Sequence, residues 1–376
     1  RRGSVGARAG READVGRSWT RSVVRSAPTR EHRREMGGSG ALAMSEPIVS
    51  LCMIAKNESH VLARCLESVH GVVEEIIVVD TGSTEATPQV AAAYGAQVIH
   101  EVWRNDFAQA RNRSLERARG DWILVLDADE ELAPESRPLL KPRLAATTAE
   151  GLQVCVRSFL PAGDLLSYDD LYLTRLFRNR PAYRYEQPIH EQIRPAIERA
   201  GGVVIVSDLL ILHYGYAQQM VQGQNRRALR NLAILERALE ASPNDPYLYY
   251  QLGVTYQALG QPQRAVEALH KALTLDRATM GDAALDRLHM RLAQLALAAD
   301  QYGDAIAHAR ASLTRNPDNF VSLYVLALAH MLAGHIEQAY RCFRRLRQLP
   351  NARPEILSDL DSVIAYCRSA LGEGGA

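Results

Sequence analysis

The sequence has few cysteines and no long apolar run, and each shortage excludes a class of protein. Its 376 residues include five cysteines, which are scattered without a C-x-x-C pair, so neither a disulfide framework nor a structural zinc site is expected. No stretch approaches the roughly 18–20 apolar residues of a transmembrane helix. A net charge of +1 provides no global basic surface for nucleic acid or an anionic membrane. We therefore expect a cytoplasmic protein with reduced cysteines, no nucleic-acid partner and no transmembrane segment.

The composition that is present is ordinary for a globular chain, with 47% apolar and 23% charged residues. At this length, two or three domains are expected. Residues 1–45 are the exception, because arginine is frequent there and large apolar side chains are few. We interpret them as an upstream translated extension, with translation starting at Met36 or Met44; a disordered basic tail is the alternative.

Residues 46–135 alternate between two kinds of apolar pattern. Short apolar runs typical of strands covered on both faces occur at 47–54, 76–79 and 122–126. Helical spacing occurs between them, at 58–70, 87–94 and 107–118. This alternation predicts a parallel βαβ sheet that binds ligands at the carboxyl ends of its strands. Neither a GxGxxG fingerprint nor a phosphate loop occurs in this half, which disfavours a hydride-transferring Rossmann enzyme and a P-loop kinase.

Polar residues follow each of the three strands. They are Lys56-Asn57-Glu58, then residues 80–84 beginning with Asp80, then Asp127-Ala128-Asp129-Glu130. Two carboxylates one residue apart at a strand end can face the same crevice, and hard oxygen ligands suit Mg²⁺ or Mn²⁺. Alone, an Asp-x-Asp pair is a weak signal, because acidic residues are also common in turns and at helix N-termini.

Four segments in order make the pattern specific: 50–58, 76–84, 107–112 and 126–130. Together they resemble the successive motifs of family 2 glycosyltransferases, which have the GT-A fold. The subgroup that the chain resembles most carries tetratricopeptide repeats after this domain and includes bacterial S-glycosyltransferases that modify bacteriocin peptides. The resemblance implies an α/β GT-A domain followed by an all-α repeat domain.

The resemblance also implies roles for individual residues. Those expected to bind the nucleotide-sugar are Asn57, Glu58, Asp80, Arg111, Asp127 and Arg178. Asp129, Asp127 and His213 are expected to hold Mn²⁺ or Mg²⁺. Helix capping is the alternative for Asn57 and Glu58, and a buried structural histidine is the alternative for His213.

Residues 136–215 are expected to carry the acceptor side. Strands are predicted at 151–160 and 172–177, and a strand-like segment at 189–193 contains His190 and Glu191. An inverting transfer needs a carboxylate that takes the acceptor proton, and Glu191 is the first candidate. The pair Asp169–Asp170 is the second. The alternative for Glu191 is a salt bridge to Arg175 or Arg178, and His190 is the reserve acid/base or a group that orients the diphosphate.

A 34-residue period is visible in the C-terminal half. Ala305 and Ala339 are 34 residues apart, and Ala265 precedes Ala305 by 40, which predicts an inserted turn near 278–284. Small residues at this period are typical of tetratricopeptide repeats. The predicted organisation is a GT-A domain over 46–216, a linking helix within 217–245, repeats over 246–350, and a capping helix and tail over 351–376.

The sequence thus predicts a metal-dependent glycosyltransferase, with a UDP-sugar as the expected donor and inversion expected from the resemblance. The acceptor is expected to be a peptide, protein or glycan, and the repeats to bind the acceptor or a protein partner. They could instead only stabilise or dimerise the enzyme. The alternative function is a repeat-based interaction module whose sugar-nucleotide domain is degenerate. A sugar-nucleotide pyrophosphorylase is disfavoured, because the turn at 55–58 contains no glycine.

Overall fold

The structure is a computed structural model that describes residues 46–159, 168–215, 221–349 and 354–372. The expectation for residues 1–45 lies outside these ranges. Within them, no helix combines the length and the apolar character that a bilayer crossing requires.

One sheet of eight strands forms the N-terminal part. The strands are β1 (Val49–Ala55), β2 (Glu75–Asp80), β3 (Gln97–His100), β4 (Trp122–Val125), β5 (Glu130–Leu132), β6 (Gly151–Phe159), β7 (Tyr168–Arg178) and β8 (Val204–His213). Their order across the sheet is β3-β2-β1-β4-β7-β6-β8-β5. The first four are parallel, with β1 between β2 and β4. β7 pairs antiparallel with both β4 and β6, which makes the second half mixed.

Five helices cover the two faces of this sheet. They are α1 (Ser59–Val69), α2 (Thr87–Ala93), α3 (Phe107–Leu115), α4 (Arg137–Ala146) and α5 (Arg194–Arg199). Alternate residues of β1 are buried in two separate clusters: Leu51 and Met53 pack with α1, whereas Cys52 packs with α3. The continuous apolar run of β1 therefore reflects burial on both faces, as the sequence predicts. The predicted α/β fold class is confirmed.

The structure also differs from the sequence predictions. The short strands β3 and β5 and the six-residue helix α5 were not predicted. The strand expected over 189–193 does not form, and only an isolated bridge joins Glu186 to Gln192. Gln187 has φ 70° and His190 has φ 54°, and these left-handed conformations interrupt an extended strand.

Eight helices form the part of the C-terminal region that the structure describes. They are α6 (Val221–Ala241), α7 (Pro246–Ala258), α8 (Pro262–Leu275), α9 (Asp282–Ala298), α10 (Tyr302–Arg315), α11 (Phe320–Leu332), α12 (Ile336–Leu346) and α13 (Pro354–Ala370). Ala265, Ala305 and Ala339 are fully buried where paired helices meet. Gly253 lies so close to Leu269 that an added Cβ would come within 2.6 Å of its Cγ. The extra turn predicted near 278–284 is the connection between α8 and α9. The sheet and these helices belong to one compact unit.

Candidate active site

Three polar segments meet at one edge of the sheet. Residues 56–58, 80–84 and 127–130 follow β1, β2 and β4, which are parallel neighbours. We call this set of residues the carboxyl edge. Adjacent strands are about 4.8 Å apart, so the two outer segments, 80–84 after β2 and 127–130 after β4, lie roughly 10 Å from each other.

Asp80 organises the turn after β2. Its side chain is almost fully buried, and its Oδ1 accepts hydrogen bonds from Ser83 N (3.1 Å) and Ser83 Oγ (2.5 Å). Asn57, at φ 58°, closes the turn from the other side: its Oδ1 accepts from Thr84 N at 2.8 Å. The turn therefore has one fixed shape at the place where the resemblance expects the nucleoside.

Glu58 occupies the position directly before α1, but its side chain does not cap the helix. Its side chain makes no capping hydrogen bond, so the capping alternative does not explain this residue. Burial, and then the charge of Asp129, raise the pKa of Glu58 above its usual value. A carboxylate under such repulsion favours a nearby cation.

Asp127 lies between two arginines. Arg111 Nη2 donates to its Oδ1 at 2.6 Å, and Arg175 Nη2 donates to its Oδ2 at 2.8 Å. Burial alone would raise the pKa of Asp127, but the charges of Arg175 and Arg111 outweigh burial and hold that pKa well below its usual range. Both carboxylate oxygens are thus engaged by guanidinium groups.

Arg111 connects Asp127 to the acceptor side of the domain. Its Nε donates to Glu191 Oε1 at 2.5 Å, and its guanidinium lies 5.6 Å from the centre of the Tyr185 ring. The salt bridge expected as the alternative for Glu191 therefore exists, but with Arg111 rather than Arg175 or Arg178. Arg111 is 7% exposed, and its buried Nη1 has no hydrogen-bond partner among the described residues. A buried unpaired donor costs roughly 1–3 kcal/mol, which an anionic ligand would offset.

Sequence reasoning gave no site role to Arg175, Glu130 or Tyr185. Arg175 Nη2 also donates to Glu130 Oε1 at 2.5 Å, and Glu130 Oε2 accepts from the backbone N of Asp127 at 2.9 Å. Burial raises the pKa of Glu130 to about 7, against the opposing charge of Arg175. The available signal was that Glu130 lies inside segment 126–130, which resembles the family.

Asp129 and His213 meet because of strand pairing. β5 begins immediately after Asp129, and its Glu130 is in register with His213 at the end of β8. As a result His213 Nε2 lies 3.4 Å from Asp129 Oδ2, while Ser158 Oγ lies 2.9 Å from His213 Nδ1. Burial opposes the charged imidazole, but the hydrogen bond and charge of Asp129 raise the pKa of His213 overall.

The pair fits a divalent cation chemically. A carboxylate oxygen of Asp129 and an imidazole nitrogen of His213 lie 3.4 Å apart, and carboxylate oxygen is a ligand that suits Mn²⁺. Gly215 borders the pair, since a Cβ there would lie 2.6 Å from His213 Nε2 and closer still to Asp129 Oδ2. Over the residues that the structure describes, no set of three His, Cys, Asp or Glu side chains forms a ready metal cage. Two protein ligands would therefore leave several coordination positions for water or phosphate oxygens, which is the usual arrangement for Mg²⁺ at phosphates.

Three of the remaining candidates, Arg178, Asp170 and Asp169, have partners other than Asp127 and Asp129. Arg178 is in register with Trp122, at the start of β4, and packs over its ring at 4.6 Å. It is therefore near the opposite end of the strand from Asp127. Asp170 is engaged in two hydrogen bonds with Arg157, and Asp169 lies 3.3 Å from Arg287 on α9. His190 lies next to Glu191, and burial lowers its pKa to about 4, so its ring is neutral at pH 7.

Comparison with known proteins agrees with this geometry. Residues 50–201 match the model of glycosyl transferase family 2, and residues 234–267 and 296–358 match tetratricopeptide-repeat models. A TPR repeat-containing protein of Synechococcus elongatus is 41% identical over 211 residues, which cover 54% of this chain and 51% of that protein. The SPbeta prophage-derived glycosyltransferase SunS of Bacillus subtilis is 26% identical over 231 residues, covering 60% of this chain and 53% of SunS.

A shorter match involves an uncharacterized glycosyltransferase of Rickettsia prowazekii, which is 41% identical over 87 residues, covering 23% of this chain and 30% of that protein. The chain thus spans about half the length, or less, of these curated relatives. The sequence matches and the carboxyl edge agree on one assignment: this chain carries a family 2 glycosyltransferase domain followed by tetratricopeptide repeats.

Proposed function

We propose that the chain transfers a sugar from a nucleotide-sugar, with a UDP-sugar as the donor, to a nucleophile on a peptide, protein or glycan. The observation that carries the proposal is Arg111, a buried arginine at the carboxyl edge whose Nη1 has no partner among the described residues. A diphosphate oxygen matches a guanidinium in charge and geometry. Asp80, Asn57 and Glu58 would then face the nucleoside, because they follow the neighbouring strands.

The proposed cation is Mn²⁺ or Mg²⁺, held by Asp129 and His213. When bound, it supplies positive charge that neutralises the departing diphosphate. Asp127 has a further part beside the metal contact expected from the resemblance, because each of its oxygens accepts from one arginine, Arg111 or Arg175, and keeps a second lone pair. Its part is to hold these two arginines in place. Arg178 has no part in the proposal, since it lies at the other end of β4.

Glu191 is the proposed base, with inversion at the anomeric carbon. The acceptor atom bonds to that carbon while the bond to the diphosphate oxygen breaks, and the acceptor proton moves to Glu191. Arg111 holds Glu191 through Nε, so donor and base are positioned by one side chain. His190, neutral at pH 7, is suited to orient a ligand by hydrogen bonding rather than to act as a cation.

The test is UDP release from a panel of UDP-sugars in the presence of Mn²⁺, Mg²⁺ or EDTA. Water can replace the acceptor, so the acceptor need not be known. The variants are Asp129→Asn, which keeps the side-chain shape and removes the charge, and Arg143→Lys as a control in an exposed pair with Asp208. We expect metal-dependent release from one donor, reduced about 100-fold or more in Asp129→Asn, because aligned charges at a leaving group contribute on this scale. The Arg143→Lys variant should retain wild-type release.

Two results would count against the proposal. If the wild type releases no UDP and calorimetry detects no UDP binding, the repeat-based interaction module becomes the better assignment. If UDP is released equally well with EDTA and by Asp129→Asn, the enzyme is a transferase whose leaving group is stabilised by arginine alone.

A further inference from the structure

The loop that carries His190 and Glu191 is not held by regular secondary structure. Loop 186–192 contains two non-glycine residues in the left-handed region, Gln187 and His190, and one isolated bridge closes it. Such conformations cost about 1–3 kcal/mol each and persist only where the surroundings enforce them. Contacts elsewhere in the molecule must therefore hold this loop.

Its apolar anchor is Ile189, which is 2% exposed. Ile189 packs in a cluster with helices α6 and α7 instead of the cores beside the sheet. The buried members from these helices are Ile234, Leu235, Ala238, Leu248, Leu252 and Tyr256. Burial of an isoleucine side chain contributes about 1.5–3 kcal/mol, which offsets part of the roughly 2–6 kcal/mol of strain at the two left-handed residues. The side chain directly before His190-Glu191 is thus buried by the helical region.

The same helices hold the other end of the loop. The Tyr247 side chain on α7 lies beside the side chain of Gln192, the residue directly after Glu191. Glu191 therefore lies between two contacts with the helical region, one made by Ile189 and the other by Gln192.

Helix α3, which carries Arg111, is held at the same place. Its first residue, Phe107, packs in the cluster around Ile189, and Phe107 N donates to Pro188 O at 2.8 Å. The Arg230 guanidinium on α6 lies 5.0 Å from the centre of the Phe107 ring. Arg111 is four residues after Phe107 and so lies on the same side of α3, one turn further on. Both partners of the Arg111–Glu191 pair are therefore fixed against α6 and α7.

We propose that α6 and α7 are a positioning element of the transfer site, with Ile189 as the positioning residue that sets the place of Glu191. This inference rests on the proposed function for its catalytic consequence. It assigns the beginning of the helical region a role in the reaction, separate from any partner that the later repeats bind.

The experiment compares three truncations in the full chain. Ile189→Ala removes the anchor from the loop side, and Leu235→Ala truncates a fully buried member of the same cluster on the helical side. Leu360→Ala is the matched control, because Leu360 is equally buried but packs in the cluster of α11, α12 and α13. We expect kcat for UDP release to fall about 10-fold or more in the first two variants and to stay at the wild-type value in the control. All three should lose thermal stability.

Two further readouts separate positioning from loss of folding. UDP affinity by calorimetry should change less than about threefold in Ile189→Ala, because Arg111 remains paired with Asp127 and the turn at Asp80 does not involve the loop. The conservative variant Ile189→Val should recover most of kcat. A folded Ile189→Ala protein with wild-type kcat would overturn the proposal, and so would an equal loss of kcat in Leu360→Ala.

Amide hydrogen exchange keeps this inference separable from the proposed function. Protection of residues 186–192 should be lost in Leu235→Ala and retained in Leu360→Ala, whether or not a donor is known. Unchanged protection in Leu235→Ala would overturn the positioning role. Absence of UDP binding and release by the wild type would overturn the transfer reaction and leave the exchange result to decide whether α6 and α7 hold the loop.

Discussion

Two aspartates, one in each half of the molecule, are held in opposite ways. Asp127, at the carboxyl edge, accepts from the guanidinium groups of Arg111 and Arg175. Asp286, in α9, is 6% exposed and accepts only from neutral groups. Its donors are Ser312 Oγ at 2.5 Å, Asn316 Nδ2 at 3.1 Å and Asn319 Nδ2 at 3.0 Å.

The difference indicates what each network is for. Neutral hydroxyl and amide donors around Asp286 join α9, α10 and the start of α11, and such a network fixes how helices pack. Around Asp127, two cations are concentrated, and one nitrogen on each, Arg111 Nη1 and Arg175 Nε, lacks a partner among the described residues. A cationic network with unused donors is prepared for an anion, whereas the network at Asp286 needs no ligand.

The largest expected effect is that of Asp127→Asn. The substitution removes the charge shared by Arg111 and Arg175 while both remain buried. Because the Asp127 side chain is 38% exposed, the loss of stability should be smaller than the roughly 3–5 kcal/mol of a fully buried ion pair, and we expect UDP release to fall about 100-fold or more. Chemical denaturation and the UDP-release assay measure the two effects. Wild-type release by a folded Asp127→Asn protein would show that the arginines do not depend on this carboxylate.

A smaller and purely structural effect is expected for Asp286→Asn. The new amide hydrogens would face the donors of Ser312 and Asn319, so we expect a loss of about 1–3 kcal/mol in the free energy of unfolding. UDP release per folded molecule should stay unchanged, because this network lies in the repeats. The contrast between the two networks would fail if Asp286→Asn reduced kcat as strongly as Asp127→Asn.

The smallest effect concerns the pH dependence of stability in the repeats. Burial lowers the pKa of His289 to about 4 from the usual 6.5, and the charges of His308 on α10 and of Arg315 add to this effect. The charge of Asp286 opposes the lowering, and that of His270 on α8 adds to it. Because the pKa of His289 is lower in the folded protein than in the unfolded chain, the unfolded chain binds the proton at a higher pH. Stability is therefore lost as pH falls from about 6.5 towards 4.

For this half-exposed group the expected loss is only about 1 kcal/mol after solvent screening. Thermal melts of the wild type and His289→Gln over this pH range measure it. The His289→Gln variant should show a flatter pH dependence than the wild type. Parallel curves for the two proteins would assign the pH dependence to other groups.

Much of the fold was predictable because its signals are local. The apolar runs of β1, β2 and β4 need only neighbouring residues to be recognised, and the 34-residue spacing of Ala305 and Ala339 needs only the order of residues along the chain. Strands β3 and β5 were missed, since each is three or four residues long and is stabilised by pairing with a distant strand. The strand expected at 189–193 was wrong because the apolar residue Ile189 is buried by α6 and α7, which local patterning does not reveal.

The sequence predicted which residues lie at the candidate site, but it did not predict which side chains pair with each other. Residues at strand ends, such as Asp80, Asp127 and Asp129, follow from the βαβ pattern. That Arg175 reaches Asp127 follows from β7 pairing antiparallel with β4, and this depends on the whole sheet. The position of Arg178 depends on the same pairing. It is only three residues after Arg175 on β7, but this distance places it near the opposite end of β4 from the carboxyl edge.

The position of β8 has a practical consequence for anyone who wishes to produce the sheet domain alone. The family match ends at residue 201, but β8 begins at Val204 and lies between β6 and β5. A fragment cut at the family boundary would lose His213 and leave β6 as a long unpaired edge, a surface prone to pairing with other chains. A usable fragment would have to continue at least through residue 215, and the boundary of the homologous sequence is therefore not the boundary of the folding unit.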